Sequence, residues 1–207
     1  MIREALDHGF LVSYNHPAWS LQHYPDYAGL EGVTAVEVYN TGSILEGYLL
    51  DGDEQVLDDF LYLGKRAYPV AGDDSHSIAD CCGGWVQFRA PALTYGDIMH
   101  AFAVGDFYAS WGPEITALYI EDGILHVDCT DTVAVYLRTD IRLSGNTTAP
   151  AGEMLSHCTF DLRGWLEQSR TLSCEERAFF RLTLVGPTGA KALTRGYFAD
   201  ELSGMTF

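Results

Sequence analysis

Residues 68–76 read Tyr-Pro-Val-Ala-Gly-Asp-Asp-Ser-His, and their reading decides the architecture of everything around them. Tyr68 to Gly72 is a short apolar run closed by glycine, the mark of a buried strand. The residues after it place a carboxylate, Asp74, and an imidazole, His76, two positions apart. In extended chain, i and i+2 point the same way. The pair can therefore enter one cavity at the strand's C-terminal end, where parallel β/α folds assemble their sites. The spacing alone is weak, since a loop aspartate hydrogen-bonded to a histidine produces it as well.

Working back from that stretch, Asp53 and Glu54 open a segment with Val56, Phe60 and Leu63 at helical spacing, acidic residues being favoured in a first helical turn. Before it, residues 33–39 are β-branched and aromatic, and residues 10–15 form an apolar run ended by His16-Pro17. Residues 94–105 repeat the helical pattern, with Thr94 as N-cap and Gly105 at the end. Strands alternating with helices imply parallel pairing. Two further side chains stand out in this region. His16 follows an apolar strand and precedes a proline that fixes the chain's departure. Glu37 interrupts an otherwise apolar strand: an edge strand facing water tolerates that, whereas a strand covered on both faces needs a metal, an arginine or several hydrogen bonds for the charge.

After Gly112-Pro113 hairpin signals replace helical ones. Asp122-Gly123 sits in the preferred two-residue turn position between Ala117–Glu121 and Ile124–Asp128. Residues 133–138, 158–162, 179–185 and 190–198 alternate as further strands, the last two joined through Gly186-Pro-Thr-Gly189. The expectation is an α/β region over residues 1–113 and a small antiparallel β-sandwich over 114–207.

Bulk properties narrow the function classes. The 207 residues, 47% apolar, can bury one sizeable core or two small ones. A net charge of -17 repels phosphate backbones, which argues against nucleic acid as a partner and would favour divalent cations and cationic ligands. No apolar run is long enough for a membrane span and residues 1–15 are no signal peptide, so a cytoplasmic protein with no membrane partner is expected. Cys81, Cys82, Cys129, Cys158 and Cys174 are odd in number and lack C-x-x-C spacing, which indicates buried, reduced thiols. The run Asp51, Asp53, Glu54, Asp58, Asp59 lacks the ligand ladder of a calcium loop and reads as a solvated helix start.

Taken in order, Asn15-His16-Pro17, Glu37-Val-Tyr-Asn40, a crossover helix and Gly72-Asp-Asp-Ser-His76 resemble the second half of a barrel of the PHP (polymerase and histidinol phosphatase) superfamily. Gly83-Gly84-Trp85 and Gly105-Asp-Phe-Tyr-Ala-Ser-Trp-Gly-Pro113 are similar to the closing part of its CehA/McbA-type subgroup, and residues 180–192 to the last hairpin of an appended β-domain. The resemblance implies a partial PHP-type β/α barrel and a metal-dependent phosphoesterase using zinc, manganese or iron. It implies His16, Asp74 and His76 as metal ligands, Asp74, His76 and Glu37 as catalytic groups, and Asn15, Asn40 and Ser75 facing ligands or substrate. The family's opening H-x-H motif is absent, so the resemblance places the first barrel strands before Met1 and leaves the metal shell incomplete. That implies a homodimer or a partner covering the open barrel. The readings are therefore a hydrolase of small-molecule phosphoesters, a non-catalytic remnant acting in assembly or ligand binding, or an amide or ester hydrolase with the same metal chemistry.

Overall fold

A computed structural model of the chain describes residues 1–47, 53–172 and 177–202, which leaves Asp51 of the acidic run and Cys174 outside the described residues. The chain divides into two compact units, Met1–Trp111 and Gly112–Phe207.

The first unit begins with α1 (Ile2–Asp7), β1 (Ser13–Tyr14), α2 (Tyr24–Tyr27), β2 (Ala35–Asn40) and α3 (Thr41–Leu45). It continues with α4 (Asp53–Tyr62), β3 (Tyr68–Gly72), β4 (Trp85–Phe88), α5 (Tyr95–Val104) and β5 (Phe107–Ser110). β1, β2 and β3 form a parallel sheet in that order. The core lies where Ala35, Val36 and Val38 of β2 meet Val56, Leu57, Phe60 and Leu61 of α4, all buried. Each large side chain there contributes about 1.5–3 kcal/mol by leaving water. Tyr27 stacks on Phe60 at 5.9 Å and closes the lower end of this core.

The expected partial β/α barrel is overturned. The parallel ladder stops at three strands among the described residues, nothing closes it, and the remaining sheets are mostly antiparallel. The inference failed at α5. A helix between two strands was read as a parallel crossover, but β4 and β5 pair antiparallel from Trp85–Ser110 to Phe88–Phe107. The Arg89 N–H donates to the Asp106 carbonyl at 2.9 Å, so α5 is the loop of a hairpin whose ladder closes beneath it. Between β3 and β4 there is no crossover helix, only a short 3-10 turn, Ile78–Asp80. The run 10–15 also shrinks to a two-residue strand, because Phe10 is 64% exposed and Ser13 and Tyr14 are not fully buried.

The second unit is antiparallel β with one helix. β6 (Glu114–Glu121) and β7 (Ile124–Thr132) form a hairpin. Its turn residues Asp122 and Gly123 both have positive φ, 49° and 75°, as the turn that matches strand twist requires. β8 (Ala134–Thr139), β9 (Gly145–Thr148), β10 (Leu155–Asp161), α6 (Arg163–Leu172), β11 (Phe179–Val185), β12 (Lys191–Thr194) and β13 (Tyr197–Phe198) complete it. β10 and β6 flank β7, while β11 lies between β8 and β12, with β9 on β8 and β13 also on β11. α6 was not expected. Leu162, Trp165, Leu166 and Ser169 recur at helical spacing on its buried face, and the Trp165 indole and Ser169 hydroxyl both donate to Asp140 Oδ1. Among the described residues no helix is long and apolar enough to cross a membrane.

Candidate functional site

Parallel strands bring their C-terminal ends to one side of a sheet, so β1, β2 and β3 deliver the segments that follow them to a common place. His16 lies just past β1, Asn40 ends β2 and Asp74 lies just past β3. His16 and Asp74 both sit in the left-handed region, with φ of 34° and 47°. For residues other than glycine that conformation costs about 1 kcal/mol or more and persists where surrounding contacts over-determine it.

Those contacts centre on Glu37. Its neighbour in β3 is Val70, and the register then shifts so that Tyr39 opposes Ala71, a bulge in β2 between Glu37 and Tyr39. Bulges re-aim side chains, and here Glu37 and Asn40 meet. Glu37 Oε2 accepts the His16 backbone N–H at 2.7 Å and Asn40 Nδ2 at 3.2 Å, and the same Asn40 amide donates to Asp74 Oδ2 at 3.1 Å. Asn40 Oδ1 accepts the Ser43 N–H, which caps α3 and fixes the amide's orientation. Ser20 Oγ lies 2.9 Å from His16 Nδ1, and Trp19 packs edge-on against the imidazole. Glu37 is therefore the covered strand carboxylate of the two alternatives, held by two hydrogen bonds to Oε2. Burial pushes its carboxyl above the ordinary value, against the lowering effect of the Asn40 and His16 donors.

The residue that the sequence reading missed is Asp53. The acidic start of α4 looked solvated, yet Asp53 is 1% exposed and Asp58 is fully buried. Asp53 Oδ1 accepts the Ala18 N–H at 2.9 Å, while Oδ2 is buried without a hydrogen-bond partner. Burial is the main cause that pushes its carboxyl up from the ordinary 3.8 to about 6; the Glu37 charge adds to the rise, while the Ala18 N–H and His16 oppose it. Three carboxylates, Glu37, Asp53 and Asp74, are thus each held through one oxygen. Among the described residues, Glu37 Oε1, Asp53 Oδ2 and Asp74 Oδ1 accept no hydrogen bond.

The other candidates lie outside this network. Asp73 is a structural anchor: it accepts Thr41 Oγ and the N–H groups of Cys82, Gly83 and Gly84. Burial raises its carboxyl, but these donors together hold it below the ordinary range. His76 is exposed, and its backbone N–H donates to Asp80, which caps the 3-10 turn. Its imidazole makes no hydrogen bond to His16 or Asp74 among the described residues. Ser75 is exposed beside Cys81, and Asn15 is exposed with Ser13 Oγ donating to it.

No three His, Cys, Asp or Glu side chains among the described residues are arranged to hold a metal ion. Asp53 Oδ2, the two further open carboxylate oxygens and the His16 imidazole are donor types that manganese, zinc or iron takes, without a geometry that gathers three of them about one ion. No family model, curated protein or solved structure matches the chain, so the site's chemistry rests on its own residues.

Proposed function

We propose that the first unit carries a divalent-cation-dependent hydrolase site acting on small-molecule phosphoesters. The observation that carries the reading is Asp53: a carboxylate oxygen buried without a donor, facing the charge of a second buried carboxylate, is costly unless a cation or proton arrives. The resemblance of the strand-end motifs to PHP-superfamily phosphoesterases supports the same chemistry on a different sheet arrangement. His16, Glu37, Asp53 and Asp74 would hold the cation, which when bound supplies an activated water and neutralises charge on the phosphoryl oxygens.

The chain's own residues do the rest. Asn40 holds Glu37 and Asp74 in one orientation through a single amide, as ligand-orienting groups do. Ser20 and Trp19 hold the His16 ring. Asp53, whose carboxyl burial raises to about 6, would give up that proton on taking the cation, so cation uptake is coupled to proton release near neutral pH. The reading places the chain in the cytoplasm, which suits the free thiols of Cys129 and Cys158, buried as expected, and of Cys81 and Cys82, which are exposed instead.

The test is manganese-stimulated cleavage of a chromogenic phosphodiester by the full chain, with metal content of the purified protein measured alongside. Asp53→Asn and Asp74→Ala are each expected to lower the rate by about 100-fold or more. His76→Ala, outside the network, is expected to cost less than about tenfold. Retained metal-free protein with rates untouched by Asp53→Asn and Asp74→Ala would leave assembly or ligand binding as the unit's role.

A further inference from the structure

The second unit carries a cluster that the first unit's chemistry does not use. On β7, Leu125, Val127 and Cys129 are buried, so Ile124, His126 and Asp128 occupy the opposite, open face. On β10, Cys158 and Phe160 are buried and His157 and Thr159 share that open face. The register pairs Asp128 with His157 and His126 with Thr159, which makes the two histidines diagonal neighbours on adjacent strands. Their ring centroids are 5.7 Å apart. Tyr119 of β6, paired with His126, lies flat against that ring at 4.7 Å and 2°. Asp128 Oδ1 lies 2.6 Å from His157 Nδ1.

A carboxylate can only accept, so this contact places the proton of a neutral His157 on Nδ1 and leaves the Nε2 lone pair pointing outward. A carboxylate behind an imidazole in this way is the arrangement that orients histidine ligands and raises their basicity. His126 makes no hydrogen bond among the described residues, while the Tyr119 stack fixes its plane. Two imidazoles bound to one ion through bonds of about 2.0–2.1 Å stand roughly 5–6 Å apart at their centroids, a separation that this pair has. We propose that His126 and His157 form a two-histidine site for a divalent transition-metal ion of the zinc, nickel and copper class, with Asp128 as positioning residue. Its remaining coordination positions stay open to water or an exogenous ligand, consistent with the lack of a third protein ligand among the described residues.

The site is independent of the carboxylate cluster, and the experiment separates them. Nickel is titrated into the full chain by calorimetry, and the histidine ring resonances are followed by NMR during substoichiometric copper addition. Selective broadening of His126 and His157 is expected, with nickel affinity retained in His100→Gln, a variant of an exposed histidine, and reduced about tenfold or more in His126→Gln and in His157→Gln. Asp128→Asn is expected to reduce affinity by about 10-fold to 100-fold, to mix the His157 tautomers in its ring-nitrogen shifts, and to leave the urea midpoint unchanged, whereas a merely structural contact would lower the midpoint and leave nickel affinity alone. All these side chains lie on an open face, so the variants keep the fold, which circular dichroism checks. Broadening confined to His8, His23, His76 or His100, or unchanged nickel affinity in a variant carrying both His126→Gln and His157→Gln, overturns the proposal.

Discussion

At the scale of the residue, Asp53 joins function to stability. Its carboxyl rises from 3.8 to about 6, chiefly through burial, and that of Glu37 also rises. A folded-state value above the unfolded one means that the native state binds the extra proton across that window. This contribution to stability is therefore full below about 4 and is lost as pH rises through about 6. Asp53→Asn keeps an oxygen for the Ala18 N–H and removes the buried charge. It is expected to be more stable than the parent at pH 7 by about 1–3 kcal/mol and to lose that advantage by about pH 4. Urea midpoints of both proteins between those pH values measure it, and parallel curves would refute the burial of an unpaired charge. Comparing the two proteins removes the opposite trend of Asp73, whose lowered carboxyl favours folding as pH rises. The sequence showed His16, Glu37 and Asp74 because each follows or interrupts an apolar strand. It hid Asp53, because acidic residues in a first helical turn are what the helix dipole favours at any surface, and only packing against the His16–Ala18 loop buries it.

At the scale of the element, two adjacent aspartates have separate tasks. Asp73 ties the ends of β3, α3 and β4 together by accepting one hydroxyl and three backbone N–H groups, whereas among the described residues Asp74 accepts the Asn40 amide alone. Asp73→Ala leaves those donors unaccepted and is expected to destabilise by about 1–3 kcal/mol. Asp74→Ala is expected to change stability by less than about 1 kcal/mol. Chemical denaturation of the two variants decides it, and equal losses would show that Asp74 is also structural. Elements whose ends carry their own chemistry were readable in the sequence. The Thr94 side chain accepts the Asp97 N–H at the start of α5, and Gly105 ends it at φ 75°, where an added Cβ would lie 2.5 Å from the Tyr68 ring. What periodicity could not supply was pairing direction, because the ladder from Arg89 to Asp106 that turns β4 and β5 antiparallel is a long-range contact with no local signature.

At the scale of the whole molecule, a net charge of -17 acts on the compact state together with the unpaired carboxylates of the first unit. Self-repulsion of surface charge weakens as the Debye length falls from about 30 Å at 0.01 M to about 10 Å at 0.1 M salt. Sodium chloride should therefore raise Tm across that range without regard to sequence position. A cation that also binds the native state stabilises further by mass action, by about 2.7 kcal/mol at a hundredfold excess over its dissociation constant. Manganese at matched ionic strength is thus expected to raise Tm beyond sodium, the excess disappearing in Asp53→Asn and persisting in His157→Gln. The three proteins separate the terms: screening is common to all, cation capture by carboxylates belongs to Asp53, and the imidazole pair contributes to neither. If the manganese and sodium curves of the parent coincide, the buried carboxylates hold no cation, and the acidity of the chain is surface charge alone.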